Sequence, residues 1–109
     1  MKKIILIIGL LCSVIVAKDL ILKELETNCN NGDIEACFDI GFLYLQGKGV
    51  KQDYQKAAEL NQKSCDGGNL NGCYYLGTLY EGGKGVRQDY AIAKEYYGRA
   101  CDLGLQTRL

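Results

Sequence analysis

Five of the six cysteines of this chain recur at a fixed spacing. Cys29 and Cys37 stand eight residues apart, and Cys65 and Cys73 repeat that spacing 36 residues later, with Cys101 continuing the series. Cysteines can pair as disulfides or hold a metal ion, and zinc sites usually place two cysteines about two to four residues apart. Because the sequence has neither that spacing nor any histidine, the pattern favours disulfides over a metal site.

The residues that could act as nucleophiles do not form a catalytic set. Ser64 is the one serine after residue 17, and the three residues that follow it include no lysine, which the Ser-x-x-Lys pattern of serine β-lactamases requires. Cys101 could attack as a thiolate if unpaired, but there is no histidine to serve as its base. We predict no catalytic residue, no cofactor and no metal.

The first 17 residues have the pattern of a secretory signal peptide. Lys2 and Lys3 form a basic start, residues 4–16 are almost entirely apolar, and Ala17 precedes the expected cleavage site. An uncleaved anchor is the alternative, although the apolar run is short for a membrane span. Exported proteins meet an oxidising compartment in which disulfides persist. We therefore expect a secreted or periplasmic protein with no stable membrane span after cleavage.

Charge and length narrow the class of protein further. The chain has 109 residues, which is enough for one small domain, and its 13 Lys+Arg balance 13 Asp+Glu. No cluster or stripe of basic residues is present, so a nucleic-acid partner is not expected.

An internal repeat organises the rest of the chain. Residues 29–64 and 65–100 align with 15 of 36 positions identical. A period of this size is typical of stacked-repeat proteins. Residues 18–28 have the apolar spacing of a helix and are predicted to cap the array, and residues 101–109 are predicted to be the truncated start of a third unit.

Each unit predicts two helices joined by a glycine-rich loop. Asp33, Asp53 and Asp89 are suitable N-caps, and Gly47 is a suitable end for the first helix. Because no strand precedes them, the Gly-x-Gly loops are interpreted as helix connectors and not as phosphate-binding loops. The predicted helices are Ile34–Gln46, Tyr54–Cys65, Leu70–Glu81 and Tyr90–Cys101.

The cysteine pairs are predicted to staple these helices together. Cys29–Cys37 and Cys65–Cys73 would each join the end of one helix to the start of the next, and a staple of this kind contributes about 2–3 kcal/mol in the chain-entropy account. Cys101 lacks a partner because position 109 holds a leucine. It is a free thiol, an intermolecular cross-link or a mark of truncation, and our hypothesis is an unpaired thiol in a truncated array.

The second unit resembles a Sel1-like repeat, a relative of the tetratricopeptide repeat. The resemblance rests on the pattern Leu76-Gly77-x-x-Tyr80 followed by Gly83-x-Gly85-Val86-x-x-Asp89-Tyr90-x-x-Ala93. Together with the cysteine pairs and the signal peptide, the chain resembles the Helicobacter cysteine-rich protein family. The resemblance implies an all-α solenoid of αα-hairpins, wound as a superhelix and stapled by disulfides. It also implies an extracytoplasmic scaffold, or a weak penicillin-binding protein or β-lactamase that hydrolyses β-lactams.

Candidate ligand-binding residues are those that differ between the units and share one helical stripe. Spacings of four, three and four residues keep each set on one side of its helix. The candidates are Glu35, Asp39, Phe42 and Gln46 in the first unit and Asn71, Tyr75 and Thr78 in the second.

These stripes predict a peptide or protein partner on the concave face of the solenoid. Phe42 and Tyr75 would be its aromatic anchors. The alternative is that the stripe residues are solvated or contact a neighbouring repeat. If the β-lactamase label applies instead, the partner would be a β-lactam or a peptidoglycan-like small molecule.

Overall fold

A computed structural model describes residues 18–108, with side chains as far as Leu105. The described residues form helices joined by turns and loops, with no strand among them. None of its helices has the length and hydropathy needed to cross a membrane. The predicted signal peptide, residues 1–17, lies outside the described residues. The helices are α1 (18–30), α2 (Ile34–Gln46), α3 (Tyr54–Asp66), α4 (Leu70–Gly82) and α5 (Tyr90–Arg108).

Side-chain caps begin the helices where the sequence predicts them. Asp33, Asp53 and Asp89 each accept a hydrogen bond from the backbone N–H three residues on, at 3.0–3.1 Å. These bonds satisfy donors that a helix leaves open at its N-terminus. Gly47 and Gly83 end α2 and α4 in the left-handed conformation, with φ of 70° and 63°. Aspartate caps and left-handed glycines, which act on the few residues around them, therefore set most of the helix boundaries.

From α2 to α5 each helix packs against the next one along the chain, so this part of the molecule is a stack of helical hairpins. The core is a series of small clusters, and its largest fully buried apolar side chains are Ile40, Leu76 and Leu79. Two clusters are built around the half-cystines themselves, one at Cys37 and one at Cys73. Such a chain of local cores is expected for a repeat protein. The predicted all-α αα-hairpin solenoid is confirmed.

Both predicted disulfides are present. Cys29–Cys37 joins α1 to α2, and Cys65–Cys73 joins α3 to α4, with Cα–Cα distances of 4.6 and 4.5 Å. All four half-cystines are buried. The disulfides therefore fix the tight turns through which one hairpin leads to the next.

The predicted end of the last helix at Cys101 is wrong. α5 continues to Arg108 through the position at which α3 turns. Leu103 stands where the earlier unit has Gly67, and Leu105 stands where it has the N-cap Asn69. Gly104 keeps the position of Gly68, the left-handed glycine of the earlier turn, but no polar cap follows it to start another helix, and the backbone stays helical. Cys101 is consequently exposed on α5 and unpaired among the described residues.

We predict that the Cys29→Ala/Cys37→Ala variant is less stable by about 2–3 kcal/mol, because the unfolded chain gains the freedom of an open loop. Urea denaturation gives the free energy of unfolding. The control is Cys101→Ala, which removes an exposed thiol and should change stability by less than about 0.5 kcal/mol. Equal stability of the double variant and the control would contradict a stabilising role for the disulfide.

Candidate functional site

Five aromatic rings from three helices form a continuous surface, here called the aromatic face. Ring centroids of successive neighbours lie 5.4–5.9 Å apart, within the range of favourable aromatic pairs. The Phe42–Tyr75 contact, at 5.4 Å, joins α2 to α4. The Tyr74–Tyr97 contact, at 5.6 Å, joins α4 to α5. The members of the aromatic face are Phe38, Phe42, Tyr74, Tyr75 and Tyr97.

The rings are available to a partner as well as to one another. Tyr74 is 48% exposed, and the other four rings are half-buried. An exposed apolar surface that continues across several elements is typical of an interaction site.

A glycine makes room for the fifth ring. A Cβ on Gly77 would lie 2.9 Å from the ring of Tyr97, so the ring packs flat on α4 only because that side chain is absent. Tyr97 also donates a hydrogen bond from Oη to Oε2 of Glu81 at 2.5 Å. Packing and hydrogen bond together hold this ring beside Tyr74.

The structure brings two of the predicted ligand-binding residues into ring contact, namely Phe42 and Tyr75. The Thr78 hydroxyl donates to the backbone carbonyl of Tyr75 at 2.7 Å, so its own helix already uses it. The other candidates are exposed on α2 and α4, and their role in binding stays a prediction. They are Glu35, Asp39, Gln46 and Asn71.

The comparison of the two repeat units with each other did not single out Phe38, Tyr74, Tyr97 and Glu81. A signal existed for the first two, because positions 38 and 74 correspond in the repeat and are aromatic in both units. No comparable signal existed for Tyr97, whose counterpart in the first unit is Asn61.

Carboxylates accompany the rings. α2 and α4 carry Glu35, Asp39 and Glu81, all exposed, and neither helix contains a lysine or an arginine. The basic side chains of the two hairpins lie on the loops and on α3 and α5. The surface of the first helices is therefore aromatic and acidic.

An open cavity of about 400 Å³ adjoins the aromatic face at the C-terminal ends of α2 and α4. Leu45 and Leu79 give it apolar walls, and Tyr75 and Glu81 belong to its lining. A separate cavity of about 290 Å³ lies between α1 and α3, where two glutamates and two lysines balance each other and no ring of the aromatic face takes part. The first cavity extends the candidate site at one end, and an apolar cavity of about 580 Å³ lined by Tyr74, Tyr97 and Leu105 extends it at the other.

Ser64 is placed where it cannot act on a substrate. It is fully buried, and its hydroxyl donates to the backbone carbonyl of Asn61 at 3.1 Å. The α4 backbone at Gly72 packs directly on it, since a Cβ there would overlap the Ser64 oxygen. A nucleophile must reach its substrate, so Ser64 has a structural role.

The stacked hairpins, the buried disulfides at their turns and the aromatic face define a helical repeat scaffold. The Sel1 repeat matches residues 34–69 and 70–105, and the chain belongs to this family. The predicted resemblance is therefore confirmed. No curated protein matches the chain significantly.

Three solved structures are similar to the chain. Helicobacter pylori cysteine rich protein B (hcpB) is 34% identical with a TM-score of 0.73, and the match covers 76% of this chain and 62% of that one. A Sel1 repeat protein from Oxalobacter formigenes is 31% identical with a TM-score of 0.67 and the same coverage. c5321, a protective antigen of uropathogenic Escherichia coli with an SLR fold, is 31% identical with a TM-score of 0.69, and the match covers 73% of this chain and 17% of that one. The chain thus spans 62% of the length of the first two.

The environment of Tyr97 makes the stability of the fold depend on pH. Burial, and next the hydrogen bond to the Glu81 carboxylate, raise the pKa of Tyr97 to about 12. An unfolded tyrosine has a pKa of about 10. The folded state holds the Tyr97 proton more tightly than the unfolded state does, so this group adds to the free energy of unfolding. That contribution is complete below about pH 10 and is lost as the pH rises through about 12.

We predict that Glu81→Gln lowers the pKa of Tyr97 but leaves it above about 10, because burial is the larger cause and remains. NMR of ring-labelled tyrosines would follow the titration, with Tyr97→Phe assigning the signal. A return of the pKa to its ordinary value in Glu81→Gln would show that the carboxylate, and not burial, is the main cause.

Proposed function

We propose that this chain is an exported Sel1 repeat scaffold that binds a peptide or protein partner on its aromatic face. Sel1 repeats commonly mediate protein interaction. The observation that carries the proposal is the continuous contact of five partly exposed rings across α2, α4 and α5. Rigid aromatic side chains bury much area at little entropic cost, which is why they dominate binding hot spots.

Export is supported by two independent features. The apolar N-terminal segment has the pattern of a signal peptide. The two disulfides lie in tight turns that would lose a covalent link in a reducing compartment. A secreted or periplasmic scaffold accounts for both features.

A β-lactam-hydrolysing function is not proposed. The serine on which it would most simply depend is buried under α4 and bonded to its own helix. The aromatic face gives contact area and anchoring rings to a peptide or protein partner, which is the binding we propose for it.

We predict that Phe42→Ala/Tyr75→Ala weakens binding to selected peptides by about tenfold or more, since each ring is a contact anchor. The full chain, with its disulfides formed, would be used to select binders from a phage-displayed library of random peptides. Affinities of the synthesised peptides would be measured by fluorescence anisotropy.

Tyr90→Ala is the matched control. Tyr90 is 68% exposed, and its hydroxyl accepts a hydrogen bond from Gln88. Within the described residues it makes none of the ring contacts of the aromatic face. Circular dichroism would verify folding of all variants. Equal binding by the double variant and the control would rule out the aromatic face as the binding site.

A further inference from the structure

We infer that the partner segment of the aromatic face is cationic, a peptide whose lysine or arginine side chains lie over the rings and pair with the surrounding carboxylates. This inference rests on the proposed function and adds the chemistry of the partner to it. It is drawn from the distribution of charge and of cation–ring contacts in the chain.

The first helices of the two hairpins have a charge of one sign. α2 and α4 together contain Glu35, Asp39 and Glu81 and no basic residue. Within the described residues, none of these three carboxylates forms an ion pair; the two salt bridges there both belong to Arg99 on α5. An incoming cation would therefore meet carboxylates that no basic side chain of residues 18–105 pairs with.

The chain places its own cations over other rings. Lys56 Nζ lies 4.8 Å from the ring centroid of Tyr44, and Lys84 Nζ lies 5.4 Å from that of Tyr54. The Arg99 guanidinium carbon lies 5.1 Å from the Tyr96 centroid. All three distances are within the range of cation–π attraction.

None of these described cation–ring pairs involves the aromatic face. Its rings stack on one another, and no cation of the described residues lies over them. Elsewhere in the described residues, lysine and arginine side chains lie over tyrosine rings. No such contact is described at the aromatic face, where carboxylates accompany the rings. A partner that supplies cations would complete the arrangement.

The geometry suits long basic side chains. Lysine and arginine pack their aliphatic stems on apolar surface while the charged head reaches a polar group. On α2, Glu35 stands three residues before Phe38 and Asp39 three residues before Phe42, so each carboxylate neighbours a ring, and a stem over that ring would bring its head to a carboxylate. On α4, Glu81 lines the cavity of about 400 Å³ together with Tyr75, but Lys84 lines it as well, so the unbalanced carboxylates are those of α2. An acidic partner would meet like charge at Glu35 and Asp39, which is unfavourable.

The test begins with the net charge of the selected peptides. Peptides enriched from the random phage-displayed library should carry more lysine and arginine than the unselected library. Replacing those residues by glutamine in a synthesised peptide should weaken its binding by about tenfold. Added salt should weaken the basic peptide more than its glutamine version, because exposed charge pairs are screened.

The protein variant that tests the carboxylates is Glu35→Gln/Asp39→Asn, in which both side chains are exposed and the shape of each is kept. This variant should bind the basic peptide and its glutamine version more nearly equally. Glu24→Gln/Asp102→Asn changes the same two residue types at exposed positions on α1 and α5 and should keep the full difference.

The possible outcomes separate the inference from the proposed function. Neutral or acidic peptides that lose binding in Phe42→Ala/Tyr75→Ala would overturn the cationic partner and leave the binding face standing. The preference for the basic peptide over its glutamine version could also fall equally in Glu35→Gln/Asp39→Asn and in Glu24→Gln/Asp102→Asn. That result would overturn the inference, because the overall negative charge of the protein would then explain the preference. If no selected peptide depends on the aromatic rings, the proposed function fails and the inference with it.

Discussion

The close approach of α3 and α4 at their shared turn is the constraint on which the rest of the structure depends. At Gly72 the α4 backbone touches the Ser64 hydroxyl so closely that no Cβ fits between them. The Cys65–Cys73 disulfide holds the same turn, with its sulfur atoms in a buried cluster. Because α3 packs on α2 as well as on α4, this contact determines how far apart the two first helices lie. The ring contact between Phe42 and Tyr75 is a consequence of that distance.

Much of the fold could be predicted because its determinants are local. An aspartate cap or a glycine in the left-handed region acts on the few residues around it, and the repeat presents each signal twice. The exception is α5, which continues past Gly104, the counterpart of the turn glycine Gly68, and where Leu105 occupies the position of the N-cap Asn69. Leu103 packs against the Cys73 cluster, so its contribution is tertiary and is not visible in the periodic pattern.

The candidate site was predictable only in part, because one repeat position can have different surroundings in different units. Asn61 and Tyr97 correspond in the repeat. Asn61 lies between packed helices, fully buried, with Oδ1 unpaired among the described residues. Tyr97 belongs to the last described hairpin, where its ring turns onto Gly77 and joins the aromatic face. The repeat pattern predicts where a residue lies in the fold. Whether that residue is buried in the core or exposed to a partner depends on the residues that surround it.

Differences between the two units give the aromatic face a direction. Asp39 of the first unit stands where Tyr75 stands in the second, and Glu35 stands where the second unit has Asn71. An extended partner crossing from α2 to α4 would therefore meet carboxylates beside rings first and mainly rings afterwards. Shared aromatic positions supply contact area in both units, whereas the acidic positions of the first unit discriminate by charge. A peptide with its basic residues grouped toward one end would match this order better than one with evenly spaced charge.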